Sequence, residues 1–428
     1  MNQNSAKSNF GKMGWLIIIY VLFLYMFSST PPDTLNVTAE FFAGAMGLDS
    51  SNALLVFSAV GGFVGIPVAL IFGQIVSKVG VKWPTVIILL IYAVIWFING
   101  KAISFGLYAV IVTIITAVSN TINLVATQQI MSNWFPKKKG IALGWATMGM
   151  CFSSAIMVAV FQGMILNVGL SAPFNLMVVI CIVMAVITAV WFKAYPEEAG
   201  AYPDNEPISE EEKKANLELI NNYKSDFSFG KLFKTKELWM IVIIFGFLFI
   251  GLVGTVSRMI PRLVIVGIDQ NIAVLWLTIA SVIGIPASFF WGLIDQKIGT
   301  KKAVEIFCVL WTIMMAIAAV GSAAVSVPVS IISVVFYACL LGGLGNLMPS
   351  MVIQIFGRYD FPQANKLVVP LVVGIRSFAL LIVPMMLQMS GIGNESAGYR
   401  NVFIVFMILS LVVTILAFAI KDKTIGKI

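Results

Sequence analysis

Histidine is absent from the 428 residues, and charge is scarce: Lys, Arg, Asp and Glu together make up 11%. The lack of imidazole removes metal-bound histidine, the Ser-His-Asp triad and the commonest proton shuttle. The four cysteines, Cys151, Cys181, Cys308 and Cys339, each sit in an apolar run. There they are small hydrophobes without access to oxidant, so neither a disulfide nor a metal site is expected. No nucleophile–base pair, metal cluster or P-loop spacing is present, so no enzyme, cofactor or ATP-driven step is expected. A soluble chain of this length would form about three domains. Its surface could not be covered by so few charges. Apolar residues reach 60% and mean hydropathy is +0.98, against about 45–50% apolar and about 25% charged residues in a soluble domain. The solvent is therefore largely lipid.

A membrane-spanning helix needs about 20 mostly apolar residues. Twelve such runs are present, at 14–32, 52–75, 84–100, 105–127, 140–166, 172–192, 237–258, 272–294, 303–322, 329–355, 367–389 and 400–420. Their length, with Gly and Pro scattered inside them, predicts an all-α membrane protein rather than a barrel. The first run has no small-residue cleavage site and is expected to be a retained span. A polar, acid-rich stretch at 194–236 splits the chain into a six-helix bundle over 1–193 and a second over 237–428. With the N-terminus placed in the cytoplasm, 22 of the 27 Lys and Arg fall on cytoplasmic segments and four on outer ones. That is the positive-inside asymmetry, and it accounts for the net charge of +8 without nucleic acid. Both termini are expected in the cytoplasm, in a bacterial cell membrane, and the chain is expected to be a monomer.

The two bundles are copies. Residues 65–82, GIPVALIFGQIVSKVGVK, align with 284–301, GIPASFFWGLIDQKIGTK, at an offset of 219. A second match, at offset 226, pairs Asn120 with Asn346, Gln128 with Gln354, Phe135 with Phe361 and Pro136 with Pro362. Parallel six-helix repeats suit a carrier that rocks one bundle against the other. The loop after span 2 carries Gly73, Ser77, Lys78, Gly80 and Lys82, and its degenerate copy carries Gly292, Gln296, Lys297, Gly299 and Lys301. This pattern resembles the signature loop of the major facilitator superfamily. The resemblance implies twelve transmembrane helices in two pseudo-symmetric six-helix halves, with these loops acting in gating. The usual acid of the signature is Ser77 in one copy and Gln296 in the other, and Asp295 stands one residue early as a substitute. Asn133 to Gly144, NWFPKKKGIALG, resembles the loop into span 5 of oxalate/formate antiporter and monocarboxylate porter relatives. Gly342-Gly343, Pro349 and Phe356-Gly357-Arg358 at span 10 are similar to those relatives too, as is the segment Lys231 to Trp239. Residues 272–294 lack the basic residue these relatives tend to carry in span 8.

An ionisable group at the bilayer centre costs from about 2.5 to over 10 kcal/mol. Arg376 stands nine residues into span 11, about 13 Å at 1.5 Å per residue, near the midplane of a core about 30 Å thick. It offers a bidentate fork to a carboxylate, although a structural arginine bonded to helix carbonyls or to Asp33 would look the same in sequence. Asp33 and Glu305 fall near span ends. Asn120, Asn123 and Asn346, and Tyr20 and Tyr25 on span 1, are further substrate-binding candidates, with helix-to-helix bonding or plain packing as the alternative for each. Arg258 and Arg262, at the outer end of span 7, are placed to draw anions into a vestibule or to snorkel. Gly140, Gly144 and Gly149 permit close helix approach, and Ser209 with Glu210, Glu211 and Glu212 reads as a capping box.

The sequence thus predicts a secondary transporter of a small organic anion, with a carboxylate bound at Arg376 during alternating access. Exchange is expected over net movement, because an empty carrier must reorient with an unpaired guanidinium. Proton symport with Asp33 as the titrating group, neutral-solute transport, and a membrane ligand sensor are the competing readings.

Overall fold

The computed structural model describes residues 9–48, 52–209, 211–212, 214–216, 218, 223–391 and 393–426. Among the described residues every regular element is a helix. The first half contains α1 (Gly11–Met46), α2 (Asn52–Val79), α3 (Lys82–Asn99), α4 (Phe105–Trp134), α5 (Lys139–Asn167) and α6 (Ala172–Val190). The second contains α7 (Lys236–Ser257), α8 (Gln270–Ile298), α9 (Thr300–Ala323), a 64-residue helical path over Val327–Ser390, and α12 (Glu395–Ala419). That path reverses direction at Gly357, whose φ of 73° is open to glycine. Its part before Gly357 is called α10 and its part after α11. The path is long enough to cross twice, so among the described residues the eleven long apolar helices provide twelve crossings, the number of apolar runs. Large apolar side chains such as Ile71, Val94, Val190 and Ile415 are exposed on the outside of the bundle, where lipid replaces water as their solvent.

Two helices depart from the expected limits. Span 1 was expected to stop at residue 32, where Pro31 and Pro32 stand together. Instead α1 runs on to Met46 and ends at the left-handed Gly47. The proline pair is accommodated locally. Pro31 has no N–H for the Phe27 carbonyl, and the Tyr92 hydroxyl of α3 donates to that carbonyl at 3.4 Å instead. Thr30, Thr34 and Thr38 each return a hydroxyl proton to the carbonyl one turn back, at 3.1, 2.8 and 3.1 Å. Asp33 therefore lies inside a continuous helix and not at its end. The second departure is the helical continuity of α10 into α11, where a loop was expected.

α4 and α5 each contain one wide, π-helical turn, at Ile122–Ala126 and Ser153–Met157. Such turns interrupt the regular ladder and often mark functional positions. Both face the junction between the halves: Asn365 of α11 donates to the Leu124 carbonyl inside the first, at 3.4 Å.

The halves meet along two seams. In the α5–α8 seam a methyl group added to Gly140 would stand 2.7 Å from the Gly292 carbonyl oxygen, and one on Gly144 would stand 3.1 Å from the Gly292 Cα. The Thr147 and Ser288 hydroxyls share a hydrogen bond of 2.6 Å, and Ser288 donates to the Gly144 carbonyl at 3.0 Å. In the α2–α11 seam a methyl group on Gly73 would stand 2.8 Å from the Lys366 Cβ, and one on Gly374 would stand 2.8 Å from the Ile66 Cδ1. Gly62 abuts the Ser377 hydroxyl.

Most lysines and arginines gather on the face that carries the central segment, hereafter the basic face. There the central segment folds into short turns at Pro196–Ala199 and Pro203–Asn205. The predicted capping box forms: the Glu212 N–H donates to Ser209 Oγ and the Ser209 N–H to Glu212 Oε2, both at 3.1 Å. Glu210 lies outside the described residues. The tail after α12 fills the break at Gly357, with the Ile425 N–H donating to the Ile355 carbonyl and the Thr424 hydroxyl to that of Gln354, each at 2.8 Å.

Candidate functional site

Arg376 sits on α11 between α4 of the first half and α7 of the second. Its Nη2 donates to Asn120 Oδ1, and its guanidinium lies 5.8 Å from the Phe249 ring centre. Among the described residues no ion pair joins Arg376 to an acid. A guanidinium carries five N–H donors and keeps its charge. One amide oxygen and one ring face leave most of that capacity free for an anion.

The other polar candidates divide into those near this arginine and those elsewhere. Asn120 binds it directly. Asn123, inside the π-helical turn of α4, donates to Ser28 and Ser29 of α1 at 3.0 and 2.9 Å. It ties α4 to α1 and sets their relative height. Asn346 donates to the Ser288 carbonyl at 3.0 Å, while its Oδ1 is buried without a partner. Tyr25 is fully buried, and its hydroxyl lies near Thr127 without meeting hydrogen-bond geometry. Tyr20 is not brought to this cluster: it shares a 2.6 Å bond with Thr188 of α6 and stacks on Phe192. Arg262 does not line an open vestibule. It is buried within the second half, where it donates to the Ser330 carbonyl and to Ser333 Oγ, at 3.2 and 2.6 Å, over the Phe403 ring. Arg258, partly exposed, ends α7.

Asp33 faces the second π-helical turn, with Ser153 and Ser154 beside its carboxyl group. Its Oδ2 and the Ser153 hydroxyl are both buried without a hydrogen-bond partner.

The signature-loop residues lie at the basic ends of the seams. Gly73 is covered by Lys366, whose Nζ donates across to Gln74 Oε1 at 3.2 Å. Gly80 and Gly299 hold left-handed backbones, with φ of 78° and 89°. Lys78 and Lys297 are exposed, Lys82 lies over the Trp83 ring, and Lys301 pairs with Glu305 at 3.4 Å. Asp295 is buried where α8 meets Gly140, accepts from the Ser350 hydroxyl, and attracts Lys139 of the first half electrostatically. Gln296, which replaces one signature acid, donates to the Lys137 carbonyl at 3.2 Å. A neutral amide thus makes a cross-half link where one copy of the signature has its acid, whereas Ser77, at the other acid position, donates to the Gln74 carbonyl of its own helix at 2.9 Å.

The strongest cross-half link was not legible in the sequence. Arg358, at the turn from α10 to α11, holds Glu197 of the central segment through two bonds of 3.1 and 3.2 Å and donates to the Asn133 carbonyl at 2.7 Å. The two side chains are 6% and 0% exposed, and Tyr195 and Tyr359 flank the guanidinium. Lys139 adds a 2.8 Å bond to Gln354. Nearby, Asp204 accepts from the Lys137 and Lys138 N–H groups at 3.0 and 2.7 Å. Burial pushes its carboxyl from the ordinary 3.8 up to about 6, against the pull of those two donors.

Among the described residues the two matched groups of helices close against each other at the basic face, with the partly buried Arg376 between them. The chain belongs to the Major Facilitator Superfamily, whose sequence profile matches residues 16–374. It is 22% identical over 245 residues to the oxalate:formate antiporter of Oxalobacter formigenes. That match covers 55% of this chain, and the chain spans about half, 54%, of that relative's length. Among solved structures it superimposes on the proton:xylose symporter XylE at 13% identity with a TM-score of 0.73, covering 96% of this chain and 97% of that one. The human organic anion transporter TETRAN aligns with a TM-score of 0.69 at 13% identity over 94% and 98% of the two chains. These structures share the fold.

Proposed function

We propose that the protein is a secondary transporter of a small organic anion, a carboxylate, and works by alternating access as an exchanger. The observation that carries this reading is Arg376: a fixed cation at mid-membrane depth, bonded to Asn120 and to no acid among the described residues. A bound carboxylate neutralises it, and the loaded carrier then reorients without moving an isolated charge through lipid. The empty carrier has no such compensation, which favours exchange. The name of the oxalate:formate antiporter supports both the anion and the exchange.

In this reading the basic face is cytoplasmic in a bacterial cell membrane, following the Lys and Arg asymmetry. The bundles over 1–193 and 237–428 move as bodies and the segment 194–236 joins them. Closure of the cytoplasmic end through Arg358–Glu197 then leaves the carrier facing outward. A second reading, proton symport, is favoured by one observation, the unpartnered carboxyl oxygen of Asp33.

The test is uptake of labelled oxalate, formate and lactate into proteoliposomes, preloaded or empty, by wild type and Arg376→Gln. Saturable uptake that needs preloading and is lost in the variant is expected. Equal uptake with and without internal solute would remove the exchange, and normal uptake by the variant would make Arg376 a scaffold residue.

A further inference from the structure

The heights of the interior charges can be read from the contacts that tie the helices together. Asn123 of α4 bonds to Ser28 and Ser29 of α1, so those positions are level. Asn120 stands three residues farther from the basic face along α4, about 4.5 Å at 1.5 Å per residue. Asp33 stands four to five residues farther along α1, about 6–7.5 Å. The bonding partner of Arg376 and the carboxyl group of Asp33 are therefore within about half a helical turn of one depth. One charge belongs to each half.

The surroundings of Asp33 bring hydroxyl groups to its carboxyl group without completing every hydrogen bond. Its Oδ2 is buried and unpartnered, as are the hydroxyls of Ser153 and of Tyr337 on α10. Tyr337 comes within electrostatic reach of Asp33 from the opposite half. Its height agrees with this placement. One turn nearer the basic face, Leu341 and Cys151 both close on Gly284, so Tyr337 stands level with the residues just after Ser153. The wide turn at Ser153–Met157 presents both serines, Ser153 and Ser154, toward the carboxylate. Ser153 and Tyr337 are fully buried. Ser153 and Ser154 stand close enough to act on the carboxyl group as donors, yet its Oδ2 and the Ser153 and Tyr337 hydroxyls do not complete a hydrogen bond, and an unmet buried polar group costs about 1–3 kcal/mol.

We infer that the transported solute is dipolar: an ammonium group received by Asp33, Ser153, Ser154 and Tyr337, and a carboxylate received by Arg376 and Asn120. This rests on the anion-binding reading of Arg376 and adds the second pole of the substrate. A dipolar solute matches each fixed charge with its opposite, so the loaded interior is neutral at both poles. It also bridges the halves, since Asp33 is on the first and Arg376 and Tyr337 are on the second.

The full chain in proteoliposomes tests this with matched pairs of labelled solutes: acetate and glycine, propionate and β-alanine, butyrate and γ-aminobutyrate. At least one amino acid is expected to be taken up about tenfold or more better than its plain carboxylate, the worth of one charge-assisted bond. The best chain length measures the separation of the two poles. Asp33→Asn is expected to erase that preference, read as the ratio of amino-acid to plain-carboxylate uptake within one preparation of the variant. Arg376→Gln is expected to lose both. Ser153→Ala and Tyr337→Phe, milder changes, should narrow the preference even if Asp33→Asn does not fold. The rise in thermal midpoint induced by the best-transported amino acid of the series should likewise disappear in the Asp33 and Ser153 variants. Equal uptake of each pair by wild type overturns the proposal. So does an Asp33→Asn protein that loses both solutes alike together with its response to a proton gradient, which assigns Asp33 to proton coupling. If plain carboxylates are taken up independently of Arg376, it is the anion reading itself that fails.

Discussion

The two seams between the halves are built on the same idea and differ in what the small residues meet. At α5–α8 glycine meets backbone: Gly140 and Gly292 each press on the other's carbonyl, and Gly144 presses on the Gly292 Cα. At α2–α11 Gly62 and Gly374 meet side-chain ends, the Ser377 hydroxyl and the Ile66 tip, while Gly73 meets the Cβ and Cα of Lys366. A side chain turns aside when crowded, whereas a backbone carbonyl fixed in its helix does not. The α5–α8 seam is therefore the more fixed of the two, a bearing, and α2–α11, away from Gly73, is the surface freer to slide. Chain duplication supplied both, and the residues facing them made them unequal.

The largest effect tests whether either seam holds unaided. Glu197→Gln leaves the Arg358 guanidinium buried without its counter-charge, a loss of about 3–5 kcal/mol for a buried pair. The basic face is expected to open, exposing a cysteine placed at Thr147 to a thiol reagent from that side. Unchanged labelling would mean that the seams close the face by packing alone. Next comes Gly292→Ala, whose methyl group would lie on the Gly140 carbonyl. Overpacking of about 1–3 kcal/mol against closure corresponds to about 5- to 150-fold in the closed population. Transport should fall accordingly, with the carrier held open at the basic face.

Gly62→Ala is the matched change on the sliding seam. Ser377 rotates away from the new methyl group, so uptake should stay within about threefold of wild type, in line with about 0.5 kcal/mol for changes that relax locally. Equal damage from the two glycine variants would refute the distinction between bearing and sliding surface. The smallest effect concerns the central segment, at the Pro203–Asn205 turn. The Asp204 carboxyl, raised to about 6 by burial, binds a proton more readily folded than unfolded. Its contribution to stability is therefore full below about 4 and is lost as the pH rises through about 6. Asp204→Asn should flatten that part of the thermal midpoint's pH dependence, measured by scanning fluorimetry between pH 4 and 7.

The crossings were legible because lipid demands long apolar runs, and the repeat because both loop copies keep their glycines and lysines. Gly140 and Gly144 announced a close approach, but not that Gly292 and Ser288 would be opposite. An all-round apolar helix does not say which face meets which neighbour. Glu197 and Arg358 stand 161 residues apart, and each reads alone as an ordinary loop charge. The helix of span 1 runs past its expected end for a local reason: a proline pair looks like a helix end until Tyr92 of another helix supplies the missing donor. Arg376 was legible because a charge so deep in an apolar run has no ordinary explanation, and its contact with Asn120 was not. The wide turns in α4 and α5 leave no mark in composition, although Asn123 and Ser153 stand inside them.

The near-continuous helical path from Val327 to Ser390, turned back at Gly357, has a mechanical consequence. Tyr337, Arg358 and Arg376 are mounted on it in sequence, with Gly357 as its single reversed joint. Such a piece behaves as a crankshaft, in which torque applied at one throw is felt at the others. In the reading proposed here, a solute that grips Arg376 turns the same shaft that carries the Arg358 latch. Loading and unlatching are then geared together by covalent structure, and no relay of side chains between them is needed.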